Sequence, residues 1–502
     1  MPPPRRSVLI AAALVAATPL VALASPGGHH HARATASFTP YVVTDGHNHV
    51  RNGGEPSIGY DPKHNAIIYG NVGHETRMTF RGLSVVQRDI SIPGSDTTLD
   101  PITFVDRATS RIFDDQLLGG CSAMSYSDDA GKTWQRTSGC GPNVLLDHQS
   151  VGGGPFHAPL TGGVDPGYPN AVYYCAQNGF NATCAVSLDG GLTFGPGQYI
   201  SNTPTNLVGD PTGGGCSGLH GHVKVGPDGT AYVPLKGCGG TPTANNLTNS
   251  EYFGGHPSVS VSTDNGTTWQ VHEVTAGHNQ DESDNAVAID KSNRLYMAWE
   301  DGTNPSESTF GTHSAAKVAY SNDEGKTWSK PYNLSSALGV HNVQFPEIVA
   351  GDKGRAAVAF IGTKAIGDDQ HNGFKGRDGN PAAWHLYIAM TYNGGRTWKT
   401  VDTTPTNPVQ RGCVLMLGLS NKTVTDDKLC SQRNLLDFND ITMDGQGRVL
   451  VAYTDGCTGG CVHNPKYLSK DGTKTDNTDM VMRLTGGKGL LARYDGKLGP
   501  VR

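Results

Sequence analysis

The chain has 502 residues, and its composition argues against some classes of protein. Only 17% of the residues are charged, and the formal net charge of −6 is spread along the chain without a basic block, which argues against nucleic acid as a partner. The 67 glycines and 30 prolines favour many short strands joined by tight turns over long helices.

The N-terminus has the pattern of a secretory signal. Arg5 and Arg6 precede the apolar run VLIAAALVAATPLVAL, and Ala22–Ala24 offers the small residues of a cleavage site. The general secretory route is favoured over the twin-arginine route, which the paired arginines also resemble. No other apolar run could span a membrane, so we expect an exported, extracellular protein. The predicted organisation is a signal peptide over residues 1–24, a disordered lead-in over 25–40 and a single domain over 41–502.

Ten cysteines are consistent with export, because an even number in an exported chain indicates disulfides. In order along the chain they form five pairs of neighbours: Cys121 with Cys140, Cys175 with Cys184, Cys216 with Cys238, Cys413 with Cys430, and Cys457 with Cys461. The sequence alone does not fix the pairing. Zinc is the weaker alternative, because no second Cys/His pair stands at finger spacing from CTGGC.

An eight-residue phrase recurs five times along the chain. The copies are SDDAGKTW from Ser127, SLDGGLTF from Ser187, STDNGTTW from Ser262, SNDEGKTW from Ser321 and TYNGGRTW from Thr391. Their third positions, Asp129, Asp189, Asp264, Asp323 and Asn393, lie 59 to 75 residues apart. Such a period is typical of stacked or radial supersecondary units.

Each copy has the composition of a hairpin turn. An alternating strand precedes it, the Asp can accept hydrogen bonds from backbone amides across the turn, and the Gly supplies a positive φ. Four of the six tryptophans, Trp134, Trp269, Trp328 and Trp398, close these phrases. A residue repeated in this way indicates a structural anchor, since a catalytic site would not occur five times.

The phrase S-x-D-x-G-x-T-W resembles the Asp-box, or bacterial neuraminidase repeat, of the sialidase-like β-propellers. Three copies match in full, one ends in Phe194, and one has Thr391 and Asn393 in place of Ser and Asp. The resemblance implies that each box lies on the turn between the third and fourth strands of a blade, away from the active site. The boxes are therefore interpreted as scaffold.

A second pattern supplies the remaining strands. A polar residue, a short strand, a Gly/Asp/Asn turn and a second strand recur in seven units, which begin at Glu55, Asp100, about Asp147, His222, Asp284, Glu347 and Asp440. The first and last units lack a readable box. The predicted fold is all-β, a β-propeller of four-stranded blades, with seven blades favoured and six, the usual sialidase number, as the alternative.

Propeller topology predicts where the working face lies. The start of each innermost strand shares one face of the disc with the loop between the second and third strands, and the Asp-box turns lie on the other. The predicted catalytic residues are Glu55, Asp284, Glu347, Asp440 and Tyr453. The predicted substrate-binding residues are Arg77, His222, Glu300, Asp301, Arg433 and Asp455, with His148 and Arg411 nearby. Arg77 is assigned to the loop between the second and third strands of the first blade.

The chemistry of this face has two interpretations. Crowded carboxylates raise one another's pKa, which lets one act as an acid while another stays ionised, as glycoside hydrolysis requires. Alternatively, polar residues simply cap inner strands by binding backbone amides, or hold water or Ca²⁺ in the channel. No cofactor is required by either interpretation, and Ca²⁺ is the ion that the carboxylates would suit.

The sequence departs from the catalytic sialidases at one motif. Those enzymes carry Phe/Tyr-Arg-Ile-Pro near the start of the propeller, whose Arg grips the sialic acid carboxylate, whereas here GGEPSIGY has Glu55 at roughly that place. Two hypotheses remain: a glycoside hydrolase, exo-α-sialidase-like or acting on another sugar, and a non-catalytic propeller that binds a glycan or a protein. The expected partner is a carbohydrate, and the expected state is a monomer.

Overall fold

The computed structural model describes most of the chain after the N-terminal segment. The described residues are 36–94, 101–117, 122–137, 147–157, 160, 166–177, 182–200, 216, 219–238, 241–242, 252–253, 256–275, 283–302, 313–369, 373–414, 433–469 and 477–498. These residues form seven four-stranded antiparallel sheets, arranged as the blades of a β-propeller. The predicted fold class and the favoured blade number are therefore confirmed.

Strand β1 spans Ser37–Val42. Blade 1 contains β2 (Ser57–Asp61), β3 (Ala66–Asn71), β4 (His74–Arg81) and β5 (Ser84–Asp89). Blade 2 contains β6 (Pro101–Asp106), β7 (Arg111–Leu117), β8 (Ser122–Ser127) and β9 (Gln135–Arg136). Blade 3 contains β10 (Asp147–Pro155), β11 (Asn170–Gln177), β12 (Ala182–Ser187) and β13 (Gln198–Tyr199). Blade 4 contains β14 (Lys224–Val225), β15 (Ala231–Cys238), β18 (His256–Ser262) and β19 (Gln270–Glu273), with the hairpin β16 (Thr241–Pro242) and β17 (Tyr252–Phe253) inserted.

Blade 5 contains β20 (Ala286–Ile289), β21 (Leu295–Gly302), β22 (Ser314–Ser321) and β23 (Tyr332–Asn333). Blade 6 contains β24 (Asn342–Ala350), β25 (Ala356–Thr363), β26 (Ala383–Thr391) and β27 (Lys399–Asp402), and the short β28 (Gln410–Arg411) pairs with it as well. Blade 7 contains β29 (Asp440–Met443), β30 (Val449–Asp455) and β31 (Thr478–Gly486). Helical turns occur at Ser336–Leu338, Gly460–His463 and Ala492–Tyr494. Among the described residues no helix has the length and apolar character that crossing a bilayer would require.

The N-terminal strand completes the last blade. Strand β1 pairs antiparallel with β31, with Tyr41 opposite Val481, and so supplies the fourth strand of blade 7. Residues 37–40, which the sequence analysis assigned to the lead-in, therefore belong to the propeller. The first and last strands of the ring come from opposite ends of the chain, which closes it and leaves no gap between blades 7 and 1.

The innermost strands pack against one another around the central channel. Contacts join β2, β6, β10, β14, β20, β24 and β29 in a closed ring. Space is tight there: a Cβ on Gly152 in β10 would lie 2.3 Å from the carbonyl oxygen of Val223 beside β14. Side-chain oxygens also link adjacent blades by accepting hydrogen bonds from backbone amides of the neighbouring inner strand. The acceptor and donor residues are Ser57 and Thr103, Ser150 and Val223, Ser283 and Phe345, and Asp440 and Ile58.

The hydrophobic core is divided into layers, one between each pair of adjacent blades. Strand β21 shows how the sequence produces this: Tyr296 and Ala298 pack toward blade 6, while Leu295, Met297 and Trp299 pack toward blade 4. Alternate side chains of a strand point to opposite faces, so a strand buried on both faces is apolar throughout. The layer between blades 1 and 2 has the fewest buried members, namely Ile68, Ile90, Val105 and Ile112.

The five repeated phrases lie on the turns between the third and fourth strands of blades 2 to 6, as the resemblance implied. In the box that begins at Ser127, the Asp129 carboxylate accepts hydrogen bonds from the Thr133 amide at 2.9 Å and the Thr133 hydroxyl at 2.8 Å, and Ser127 accepts from the Gly131 amide. In the divergent box, Asn393 keeps the bond from the Thr397 amide at 3.1 Å. These bonds stay within each turn, and the scaffold interpretation stays a prediction.

Three of the predicted disulfides lie within the described residues: Cys175–Cys184, Cys216–Cys238 and Cys457–Cys461. Cys413 is disulfide-bonded as well. Cys430, its predicted partner, and the predicted pair Cys121 and Cys140 lie outside the described residues. Each observed bridge joins neighbours in sequence, so each closes a short loop.

We expect thiol titration of the purified, denatured and unreduced protein to find two free thiols or fewer per chain. Seven of the ten cysteines are bonded within the described residues, and Cys413 needs one more partner. Closing such loops constrains the unfolded chain by about 2–4 kcal/mol each. Recovery of four or more thiols from exported protein would contradict this expectation.

Asp479 is expected to make stability depend on pH. This carboxyl at the start of β31 is fully buried beside Tyr69, Arg51 and Asn71, and burial raises its pKa to about 7. A carboxyl with a raised native pKa binds its proton more tightly in the folded state, so its contribution is fully present below the unfolded pKa near 4 and is lost as the pH rises to 7. The loss amounts to about 4 kcal/mol at most.

Asp479→Asn should remove this loss. Relative to the wild type, the variant should gain free energy of unfolding between pH 4 and pH 8, as measured by urea denaturation at both pH values. A difference between variant and wild type that stays constant over this range would show that Asp479 is ionised in the folded protein at both pH values.

Candidate functional site

Four of the predicted catalytic carboxylates converge at one end of the channel. Glu55 precedes β2, Asp284 precedes β20, Glu347 lies in β24, and Asp440 begins β29. All four are buried, with at most 6% of each residue exposed. Glu55, Asp284 and Asp440 share this place because each stands within two residues of the start of an innermost strand, whereas Glu347 is the sixth residue of β24 and follows its bulge.

Glu347, Asp440 and His222 form the centre of this group. One donor atom from each lies within 4.8 Å of the others, and His222 Nδ1 is 3.8 Å from Glu347 Oε1. Asp440 also bonds to the backbone. Its two carboxylate oxygens accept hydrogen bonds from the backbone amides of Ile58 at 2.8 Å and of its neighbour Ile441 at 2.7 Å. Asp440 therefore caps two inner strands, while Glu347 Oε2 has no hydrogen-bond partner among the described residues.

Burial and neighbouring charges set the protonation of this centre. Burial and the Asp440 carboxylate raise the pKa of Glu347 well above its ordinary value. Burial raises the pKa of Asp440 as well. Burial and the positive charge of Lys224 lower the pKa of His222 to about 3, so its imidazole is neutral near pH 7. The setting of the centre thus favours the neutral forms of the Glu347 carboxyl and the His222 imidazole.

Asp284 has the opposite electrostatic setting. Burial acts to raise its pKa, but the nearby His148, Lys236 and His220 outweigh it and hold the pKa of Asp284 below its ordinary value. His148 Nδ1 lies 3.3 Å from Asp284 Oδ2, and Asp284 Oδ1 has no hydrogen-bond partner among the described residues. Asp284 is close enough to Glu347 for its charge to help raise the pKa of that residue.

Glu55 lines a small cavity next to this pair. The cavity has a volume of about 10 Å³, and its other described lining residues are Pro101, His148, Gln149, Asp437 and Phe438. That volume holds about one water molecule. The Phe438 ring packs edge to face on His222, with centroids 5.0 Å apart, and so connects the cavity to the centre.

Strained backbone accompanies the site. Glu55, His148 and Phe345 have φ values of 52°, 50° and 57°, although none is a glycine. The pairing register shifts between Asp147 and Ser150 and between Gln344 and Glu347, so His148 and Phe345 lie in bulges. A bulge redirects side chains at the end of a strand, and such strain concentrates at functional sites.

Other predicted residues form a ring around the centre. Glu300 is buried, and its pKa is raised by burial and by Asp369. Asp301 is ion-paired with Lys317 and accepts a bond from the Trp299 indole at 3.1 Å. Asp301 is therefore engaged by its own neighbours in blade 5.

Arg433, which precedes blade 7, and Asp455, at the end of β30, have local partners as well. Arg433 is ion-paired with Asp437, a residue that lines the small cavity. Asp455 accepts the Cys457 amide at 2.8 Å, at the start of the CTGGC loop. Arg411 donates to the carbonyl oxygen of Cys461 at 3.0 Å, on the other side of that loop.

The structure does not bring Tyr453 or Arg77 into this group. Tyr453 is 2% exposed and packs in the apolar layer between blades 6 and 7, because it shares its face of β30 with Val449 and Val451. Arg77 lies within β4, whereas the sequence analysis assigned it to the loop between the second and third strands. Asp100 and the Asp147 side chain lie outside the described residues.

Two lysines at this face were not identified from the sequence. Lys224 lies two residues after His222, in the first strand of blade 4. Its charge partly offsets the effect of burial, which raises the pKa of both Glu347 and Asp440. Lys236, which is 4% exposed, acts in the same way on Asp284 and Glu300. The signal for Lys224 was its spacing, since residues two apart in a strand share a face.

The centre also has the donor set of a metal site. His222, Glu347 and Asp440 offer one imidazole and two carboxylates. Such a mixture suits a divalent transition ion such as Zn²⁺ or Mn²⁺, whereas Ca²⁺ prefers oxygen donors alone. The Ca²⁺ ion considered in the sequence analysis stays a prediction.

The chain matches known proteins in one short motif and, at low identity, in overall structure. The BNR/Asp-box repeat model matches residues 125–136. Three solved structures resemble the chain over most of its length: a protein of unknown function from Dyadobacter fermentans DSM 18053 (12% identity, 90% of this chain and 99% of that chain, TM-score 0.42), the intramolecular trans-sialidase from Ruminococcus gnavus (11%, 87% and 94%, 0.37) and the polysaccharide lyase Uly1 (9%, 88% and 91%, 0.45). No curated protein matches the sequence. The chain thus carries a BNR/Asp-box repeat on a β-propeller fold.

Proposed function

We propose that this protein is a secreted glycan-active enzyme, a glycoside hydrolase that works at the channel mouth. One observation carries the proposal: Glu347 and Asp284 are neighbouring buried carboxyls whose pKa values are shifted in opposite directions. Two carboxyls separated in this way are the acid and the ionised partner that glycosidic cleavage needs. Export is supported by the signal-like N-terminus and the disulfides.

Each residue has a defined role in this proposal. Protonated Glu347 donates its proton to the glycosidic oxygen as the bond from that oxygen to the anomeric carbon breaks. The Asp284 carboxylate, held by His148 at 3.3 Å, accepts a proton from the attacking water, whose oxygen forms the new bond to that carbon. Asp440 and His222 position Glu347, and Lys224 and Lys236 keep the carboxylates from all becoming protonated.

The substrate that this arrangement favours is a sugar other than sialic acid. An exo-α-sialidase needs a cluster of arginines for the substrate carboxylate and a tyrosine as nucleophile. Here Arg433 is already paired with Asp437, and Tyr453 is packed in the core. A hydrolase that cleaves a neutral glycoside is therefore preferred over a divergent sialidase.

A second candidate function is a non-catalytic propeller that binds a glycan or a protein and holds a divalent cation in its mouth. The observation that favours it is that the channel mouth has little free space: the predicted carboxylates are buried, and the cavity beside Glu55 has room for about one water molecule. His222, Glu347 and Asp440 would then be ligands instead of catalysts.

One experiment distinguishes these functions. The purified mature protein is incubated with a panel of aryl glycosides and polysaccharides, before and after dialysis against a chelator, and its metal content is measured. Turnover of a glycoside that survives metal removal supports the hydrolase. Absence of cleavage across the panel, together with a stoichiometric divalent ion whose removal lowers the melting temperature, would support the non-catalytic propeller and overturn the hydrolase.

A further inference from the structure

A large crevice opens beside blades 1 and 2, at the first Asp-box. It has a volume of about 770 Å³, and the box turn from Ala130 to Trp134 forms one wall. Strands β4 and β5 and the segment after β5 contribute the others. The crevice adjoins the smallest apolar layer of the propeller, between Ile68, Ile90, Val105 and Ile112. Its size is within the range of pockets that bind small ligands.

The crevice is strongly basic in a chain whose net charge is −6. Four cations line it: Arg77, Arg88, Lys132 and Arg136. Among the described residues that line the crevice, only Asp89 is acidic, and it is ion-paired at 2.8 Å with Arg51, which is not part of the crevice. Among the described residues none of the four cations forms an ion pair, so their charges are uncompensated.

Arg77 and Arg88 make this arrangement costly. They stand directly opposite each other in the β4–β5 pair, and like charges in that position destabilise a sheet. Arg77 is half-buried, and its Nε atom is buried without a hydrogen-bond acceptor among the described residues. A guanidinium in this position has unused donors, which an anion could satisfy in bidentate fashion.

The neighbouring groups suit a saccharide. Trp134 lines the crevice and is half-buried, with its indole N–H donating to the Ile90 carbonyl oxygen at 2.7 Å. The bond fixes the ring, and an aromatic ring held in place offers apolar surface to a sugar without loss of side-chain freedom. Ser91 adds a small polar group to the same lining.

We propose that this crevice binds the sulfate or carboxylate groups of an acidic polysaccharide, at a site separate from the channel mouth. The anionic character of the ligand follows from the four unpaired cations and the opposed arginines. Its saccharide nature rests on the proposed function.

Affinity electrophoresis and calorimetry with four polymers test the proposal. The probes are dextran sulfate, polygalacturonate, uncharged dextran and double-stranded DNA. We expect one of the acidic polysaccharides to bind, with an affinity that falls as salt is added, and dextran not to bind. The sulfated and uronate probes tell the two anion types apart. DNA that binds as tightly as both polysaccharides would overturn the saccharide assignment.

Variants locate the binding. Arg77→Gln combined with Arg88→Gln should weaken binding of the acidic polymer by about tenfold or more. Arg81→Gln is the matched control, because Arg81 lies on the same strand, is exposed and does not line the crevice. The double variant should melt no lower than the wild type, since it removes a like-charge pair. Unchanged binding in the double variant, or no binding of either acidic polymer by the wild type, overturns the site.

Binding here does not depend on turnover. A wild-type protein that cleaves no glycoside but binds an acidic polymer through Arg77 and Arg88 would refute the hydrolase and leave the crevice site standing. A protein that cleaves a glycoside with the same catalytic efficiency in the double variant, and binds no acidic polymer, would refute the crevice site alone.

Discussion

Replacing Glu347 by glutamine is expected to lower turnover of whichever glycoside proves to be the substrate by about 10²–10⁴-fold, the usual contribution of a proton-transfer group. The amide has the size of the carboxyl but no proton to donate to a leaving oxygen. Because burial raises the pKa of Glu347 and so favours its neutral form, an uncharged amide should fit the same place. The melting temperature should therefore stay close to that of the wild type.

Glu75→Gln is the matched control for this substitution. Glu75 is also buried, and burial and Asp114 also raise its pKa, but it lies at the start of β4, outside the group formed by His222, Glu347 and Asp440. The same chemical change there should leave turnover unchanged. Equal losses in both variants would show that the effect comes from burial of an altered carboxyl, and wild-type turnover in Glu347→Gln would remove Glu347 from the mechanism.

The pH profile gives an independent measure of the same assignment. The pKa of Asp284 lies below its ordinary value and that of Glu347 above, so activity should rise as Asp284 ionises at low pH and fall as Glu347 loses its proton at higher pH. The residual activity of Glu347→Gln should lose the falling limb. A falling limb that survives the substitution would belong to another acid.

The fold could be predicted because its information is local. The Ser, Asp, Gly and Thr of each box bond to one another within a single turn, so five turns could be identified without any tertiary contact. Strand β1 shows the limit. Thr39 and Thr485 are hydrogen-bonded across 446 residues, and nothing in the sequence near Ser37 indicates that it pairs with the last strand.

The site was predictable to the extent that topology fixes it. Glu55, Asp284 and Asp440 stand within two residues of the start of an inner strand, and that position is readable from the repeats. Glu347 joins them from within β24, after its bulge. Side-chain direction and partners were less accessible. Alternate positions of β30 face opposite sides of the strand. Tyr453 faces the core between blades 6 and 7, and its neighbours Ala452 and Thr454 face the other side. The ion pair from Lys317 to Asp301 depends on register between β21 and β22.

The largest expected effect on stability belongs to an Asp-box tryptophan. Trp398 is 8% exposed, packs edge to face against Tyr296 with centroids 6.4 Å apart, and belongs to the apolar layer between blades 5 and 6. Its indole donates to the Gly395 carbonyl oxygen at 3.1 Å. Trp398→Ala should therefore lower the free energy of unfolding by about 3–5 kcal/mol, through lost burial and the cavity left behind.

Trp328 provides the internal comparison, because it occupies the same position of the preceding box. It makes the equivalent bond to Gly325 at 2.8 Å but is only half-buried, beside the layer between blades 4 and 5. Trp328→Ala should cost less than Trp398→Ala in urea denaturation, while both variants keep wild-type activity per folded molecule. Since the two residues share the turn and the indole bond, equal losses would mean that the hydrogen bond within the box governs stability. A larger loss in Trp398→Ala would mean that packing between the blades governs stability, which is the result we expect.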